Sequence, residues 1–163
     1  MKGRSRWRRQ SGQLVYGNRA GLAVNGCARH TMAQIFITLH YWNQFLILAT
    51  GAITTIWGFF LFFTRRTETF SPAWRIALIV TGCVGALQGL LGIIMVIMGL
   101  RPGTGTGLYW LHYVYGAIVV FILPVALTYS SSGKNVRRDV LIFSIATLIL
   151  VAAAIRAMMT GPA

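Results

Sequence analysis

Four runs of this chain, about residues 35–63, 76–100, 108–129 and 140–159, contain no lysine, aspartate or glutamate. Each is long enough to cross a bilayer, since roughly 20 apolar residues in a helix span about 30 Å of hydrocarbon. A segment surrounded by lipid has no water to bond its N–H and C=O groups. It must therefore satisfy them internally, as a helix does and as a loop or open strand cannot. The connections are short, so consecutive spans run antiparallel. The fold expected is all-α: an integral membrane, up-down-up-down four-helix bundle filling residues 32–163 with no room for a second domain. Only 10% of the residues are charged, against about a quarter in a soluble domain.

Residues 1–31 are different, being basic, rich in Gly and Asn, and lacking an apolar run long enough for a signal peptide's core. The expectation for this stretch is a disordered extension. Met32 directly precedes the first apolar run and reads as an alternative start, with the extension then an artefact of the assigned one. The net charge of +13 does not form one patch. Seven of the fifteen cations precede Met32, and most others sit in the first loop (Arg65, Arg66, Arg75) and the third (Lys134, Arg137, Arg138). Such a distribution orients a membrane protein rather than binding nucleic acid. It places loops one and three in the cytoplasm and the middle loop, with Arg101, outside, in a cell's inner (cytoplasmic) membrane. The basic extension argues for the opposite orientation, a conflict that a start at Met32 removes.

Two imidazoles lie inside this apolar sequence. His40 is early in the first span and His112 early in the third. These spans run in the same direction, so at 1.5 Å per residue both rings sit about 6–8 Å below the same membrane face. Ionisable side chains within a bilayer are costly and are read first as sites. Two imidazoles at one level on facing helices suit axial ligation of a haem. A hydrogen bond from each ring to a neighbouring helix is the plainer alternative. Zinc would want further ligands, and no acid lies nearby. Neither CxxC nor CxxCH is present around Cys27 or Cys83, which disfavours covalent haem and a thiolate-bound metal.

Helical spacing places His40, Gln44, Ile47, Gly51, Thr54 and Gly58 on one face of the first span, and Thr81, Gly85, Gln88, Gly92, Met95 and Gly99 on one face of the second. Small residues there permit close packing, and beside a macrocycle they also leave room for it. Gly116, one turn after His112, keeps that wall clear. Gln88 could bond Thr54 or Thr55 across the bundle, or act at the redox site. Pro124 interrupts the third span and withdraws a donor from the Val120 carbonyl. Arg101 and Arg156 fall near the same face as the histidines, where haem propionates would want cations, although a loop charge and a snorkelling side chain account for them equally. Tyr41, Trp42, Tyr109, Trp110 and Tyr113 form an aromatic belt at that level.

The order Gln88-Gly89-Leu90-Leu91-Gly92, Gly99-Leu100-Arg101-Pro102 and His112 resembles the haem A synthase family, in which a Q-x-x-L-G segment leads through a G-L-x-P turn to a haem-ligating histidine. That family has two four-helix halves, each with a histidine pair; this chain is similar to one half, mainly over residues 81–128. The resemblance implies that His40 and His112 ligate haem. Around the first histidine the family has a Glu shortly before and an Arg directly after, whereas this chain reads Thr38-Leu39-His40-Tyr41. The family's extracytoplasmic cysteine pair is also missing, so the likeness carries little of that family's haem oxygenation.

The function expected is that of a membrane-embedded b-type cytochrome, with haem b held by His40 and His112 and lined by Gly116, Gln88, Gln44, Arg101 and Arg156. It would transfer single electrons to or from a quinone or a larger respiratory or photosynthetic complex. The acids are two, Glu68 and Asp139, both expected in cytoplasmic loops, so side-chain acid-base catalysis has no evident agent. The rival readings are a cofactor-free accessory or assembly subunit of such a complex, and a half-size haem-modifying enzyme acting as a homodimer.

Overall fold

The computed structural model describes the backbone of residues 7–64, 71–102 and 109–161, with side chains from residue 30 onward. Among the described residues there are four helices: α1 (Trp7–Phe63), α2 (Pro72–Ile97), α3 (Tyr109–Tyr129) and α4 (Val136–Thr160). All four are long and apolar enough to cross a membrane, the first over His30–Phe63. The protein is thus a multi-pass, all-α membrane bundle. The chain divides into two units, Met1–Ile37 and Thr38–Ala163. In the first, the backbone is helical from Trp7, where the sequence predicts a disordered extension to residue 31. The loop cations Arg65 and Arg66, which weigh in the orientation expected above, lie outside the described residues.

Within the second unit, contacts pair rising numbers on one helix with falling numbers on the next. Asn43 meets Gln88 and Thr54 meets Thr81, so α1 and α2 are antiparallel. The positions of Gly82 and Gly85 on α2 face Leu123 and Val119 on α3, and α3 packs on α4. Gly51 and Gly58 of α1 face Leu150 and Ser144 of α4, which closes the ring of four helices in up-down-up-down order.

Lipid is as apolar as the core, so association of these helices rests on close packing and on polar contacts rather than on the hydrophobic effect. Exposure follows that logic: leucine, isoleucine and phenylalanine cover the outside, while Thr54, Thr81, Ser144 and Thr147 are wholly buried. Trp74 fills the core at the loop-one end. Its indole N–H donates to the Thr54 carbonyl at 3.1 Å, and its ring meets Phe143 edge-on at 6.4 Å. Gly58 makes this possible. A Cβ there would collide with Ser144 Oγ and lie 3.0 Å from the Trp74 ring.

The α3–α4 turn is built around Asp139, for which the sequence predicts a loop position. It stands instead in the first turn of α4 and is 1% exposed. Its carboxylate accepts from Ser131 N (2.6 Å), Ser131 Oγ (2.9 Å) and Gly133 N (3.0 Å). Negative charge there also faces the positive end of the helix dipole. Asn135 caps the helix by accepting from Arg138 N, and Arg138 reaches back to the Tyr129 carbonyl. Gly133 takes φ of +87°, a conformation that suits glycine.

Two stability predictions follow from these contacts. Gly58→Val should lower stability by about 2–4 kcal/mol, since neither the Trp74 ring nor the bonded Ser144 can withdraw freely. Asp139→Asn should cost about 1–3 kcal/mol, because it removes a charged acceptor from three bonds and sets an NH₂ against donors. Both are measured by reversible unfolding in mixed micelles; wild-type midpoints in either variant would contradict the assignment.

Candidate functional site

At the end of the bundle away from Asp139, three polar side chains of α1 and α2 meet. Asn43 is 4% exposed and Gln88 half-buried. Asn43 Nδ2 donates to the Val84 carbonyl at 3.1 Å and to Gln88 Oε1 at 2.8 Å. Gln88 Nε2 in turn donates to the His40 carbonyl at 3.2 Å and meets His40 Nε2 at 3.1 Å. A carbonyl only accepts, so the Val84 and His40 carbonyls fix which end of each amide is nitrogen. The His40 nitrogen facing an NH₂ must then accept. In the neutral ring this puts the proton on Nδ1, which is buried and has no hydrogen-bond partner. Asn43 Oδ1 is likewise buried and unpartnered.

His112 comes from α3 and is held by α4. Its Nδ1 lies 3.0 Å from the Ala157 carbonyl. Ala157 belongs to the last turn of α4, where carbonyls lack backbone N–H partners; this one also accepts from the Thr160 hydroxyl at 3.2 Å. The contact requires Nδ1 to carry the proton, leaving the lone pair on Nε2, which bonds no described residue. Gly161 packs against the same ring: a Cβ there would lie 3.0 Å from Cε1 and 3.1 Å from Nδ1.

The two imidazole centroids are 6.2 Å apart with their planes inclined at 49°. Two imidazole nitrogens each about 2 Å from one metal, on opposite sides, put the ring centroids about 6 Å apart. The Gly92 position borders His40, at 3.7 Å from Cε1, and a Cβ on Gly116 would meet nothing within 4 Å. Among the described residues no group of three or more His, Cys, Asp or Glu side chains comes together.

The other sequence candidates divide. Gln88 joins the site, but through His40 and Asn43; the bond to Thr54 or Thr55 expected for it does not form. Thr54 pairs instead with Thr81 at 3.0 Å, and Thr55 bonds the Gly51 carbonyl. Gln44 is half-buried and its side chain forms no hydrogen bond with a described residue. Arg156 is exposed beside Ala157, its guanidinium 5.9 Å from the Tyr115 ring. Arg101 is exposed and unpaired among the described residues. Tyr41, Trp42, Tyr109, Trp110 and Tyr113 are all exposed, as a lipid-facing belt requires. Asn43 is a member of the site that the sequence expectation lacks, although an amide one turn from an intramembrane histidine is a legible signal. The Ala157 carbonyl has no side-chain signature to find.

Comparison with family models, with curated protein sequences and with solved structures returned no match.

The network predicts a measurable coupling. In a double-mutant cycle, Asn43→Leu and Gln88→Leu should be non-additive by about 0.5–1.5 kcal/mol, the range of interhelical hydrogen bonds in membranes. Additive losses would mean the two amides do not support one another.

Proposed function

We propose that this protein is a membrane-embedded haem-binding protein of b-type cytochrome character, in which His40 and His112 would hold the haem iron. The observation that carries the reading is the pair of imidazoles from α1 and α3, set 6.2 Å apart at one level of the bundle, one with a ring nitrogen tied to a backbone carbonyl and the other with a buried orphan nitrogen. Histidine ligands of metals ordinarily donate their second ring N–H to a carbonyl or carboxylate, and His112 already does so. A haem would supply one-electron chemistry there. The chain's part is to hold the rings, to leave space beside Gly116, and to offer Arg156 and Arg101 near the same end as cations for propionates.

Such a protein would pass electrons within the cytoplasmic membrane of a cell, to or from a quinone or a larger membrane complex. The half-size haem A synthase reading lacks, around His40, the Glu and Arg of that family. A cofactor-free scaffold would keep its helices packed but gives no reason for two imidazoles to meet at one level of the bundle.

The test is the absorption of the full-length protein purified in mild detergent after supplementation with haem b. A Soret band shifted from free haem and a sharp α band on reduction are expected, both lost in the double variant His40→Ala/His112→Ala. A colourless protein that does not take up haem overturns the proposal and leaves the scaffold reading.

A further inference from the structure

The two histidines are not presented alike. His112 donates Nδ1–H to the Ala157 carbonyl, so its Nε2 lone pair is free. His40 has no free lone pair: the one on Nε2 faces the Gln88 amide at 3.1 Å, and Nδ1 carries the proton. Gln88 cannot turn away at little cost, because Asn43 holds its oxygen at 2.8 Å and its nitrogen also bonds the His40 carbonyl. Before His40 can ligate, either the Gln88 contact must break to free Nε2 or the proton must move from Nδ1 to Nε2, where it would face the Gln88 N–H. Each route sacrifices a buried hydrogen bond that His112 need not lose.

Resting on the haem reading above, we infer that the site is functionally asymmetric: His112 would hold the group permanently, His40 would do so exchangeably, and Gln88, set by Asn43, is the positioning residue that keeps it so. The coordination position on the His40 side is then open to a small neutral ligand of the carbon monoxide class. Both Gln88 N–H groups are engaged by His40, so the His40 Nδ1–H is the donor left without a partner there. A symmetric bis-histidine cytochrome has no such position to offer.

Full-length protein in detergent is titrated with haem b, reduced, and exposed to carbon monoxide, with circular dichroism confirming that each variant keeps its helices. His112→Gly should weaken haem binding about 100-fold and recover it with added imidazole, whereas His40→Ala should weaken it less than about tenfold. Wild type should show a high-spin fraction and bind carbon monoxide. Gln88→Leu, which frees the His40 lone pair, should become low-spin and bind carbon monoxide about tenfold more weakly. Haem binding with equal losses at both histidines, or a Gln88→Leu spectrum and carbon monoxide affinity like wild type, overturns the asymmetry and leaves the cytochrome reading standing. Absence of saturable haem uptake by the wild type overturns both. Should a histidine variant fail to fold, the Gln88→Leu readout decides.

Discussion

A polar side chain in hydrocarbon has nowhere to find a hydrogen bond except in its own bundle, and here that constraint falls most heavily on the Gln88 amide. Its oxygen has one donor, Asn43, and its nitrogen has two acceptors, both on His40. Sliding α2 along α1 by one turn, about 5.4 Å, would break all three contacts at once. The same seam continues below with Thr54 on Thr81 and the Trp74 indole on the Thr54 carbonyl. Where aliphatic side chains alone would permit many registers, these polar contacts select one. The orientation of the His40 ring is a by-product of that selection.

The other two helices solve the same problem with backbone. α4 ends close to α3, and its last turn offers carbonyls that no N–H of the helix satisfies. His112 takes the one at Ala157, and Gly161 lets the chain pass close to the ring. At the opposite end, Asp139 gathers the donors of the α3–α4 turn. The α3–α4 pair is therefore fixed at both ends, by a histidine at one and a carboxylate at the other. Each helix pair delivers one imidazole to the site by a different device.

The spans and their order are legible in the sequence because charge exclusion over twenty residues is a strong signal, and the shared depth of His40 and His112 follows from counting along parallel helices. What the pattern leaves open is which polar atom meets which. Gln88, Thr54 and Thr55 lie on inward faces, but only the observed register shows that Gln88 stands opposite His40 while Thr54 stands opposite Thr81. Backbone acceptors such as the Ala157 carbonyl have no sequence signature. Apolarity begins just after Asp139 and so suggests a loop there; the helix starts earlier, at Val136, under the cap from Asn135.

Placing one histidine on each helix pair has an energetic consequence. On the haem reading, a group bound by both rings touches α1 and α3 together, and its binding free energy adds to the stability of the packed bundle by mass action. The bundle without it is already held across the same boundary by apolar fits, with Gly85 against Val119 and Gly51 against Leu150. The site thus need not be built by its occupant. The end of α4 sets the His112 ring beforehand with its Nε2 lone pair free, and preorganisation of this kind lowers the ordering cost of binding. Asn43 and Gln88, by contrast, fix the His40 ring with its lone pair engaged. The unpartnered His40 Nδ1 is the cost of that arrangement, carried inside the bundle by contacts that fix the helices regardless.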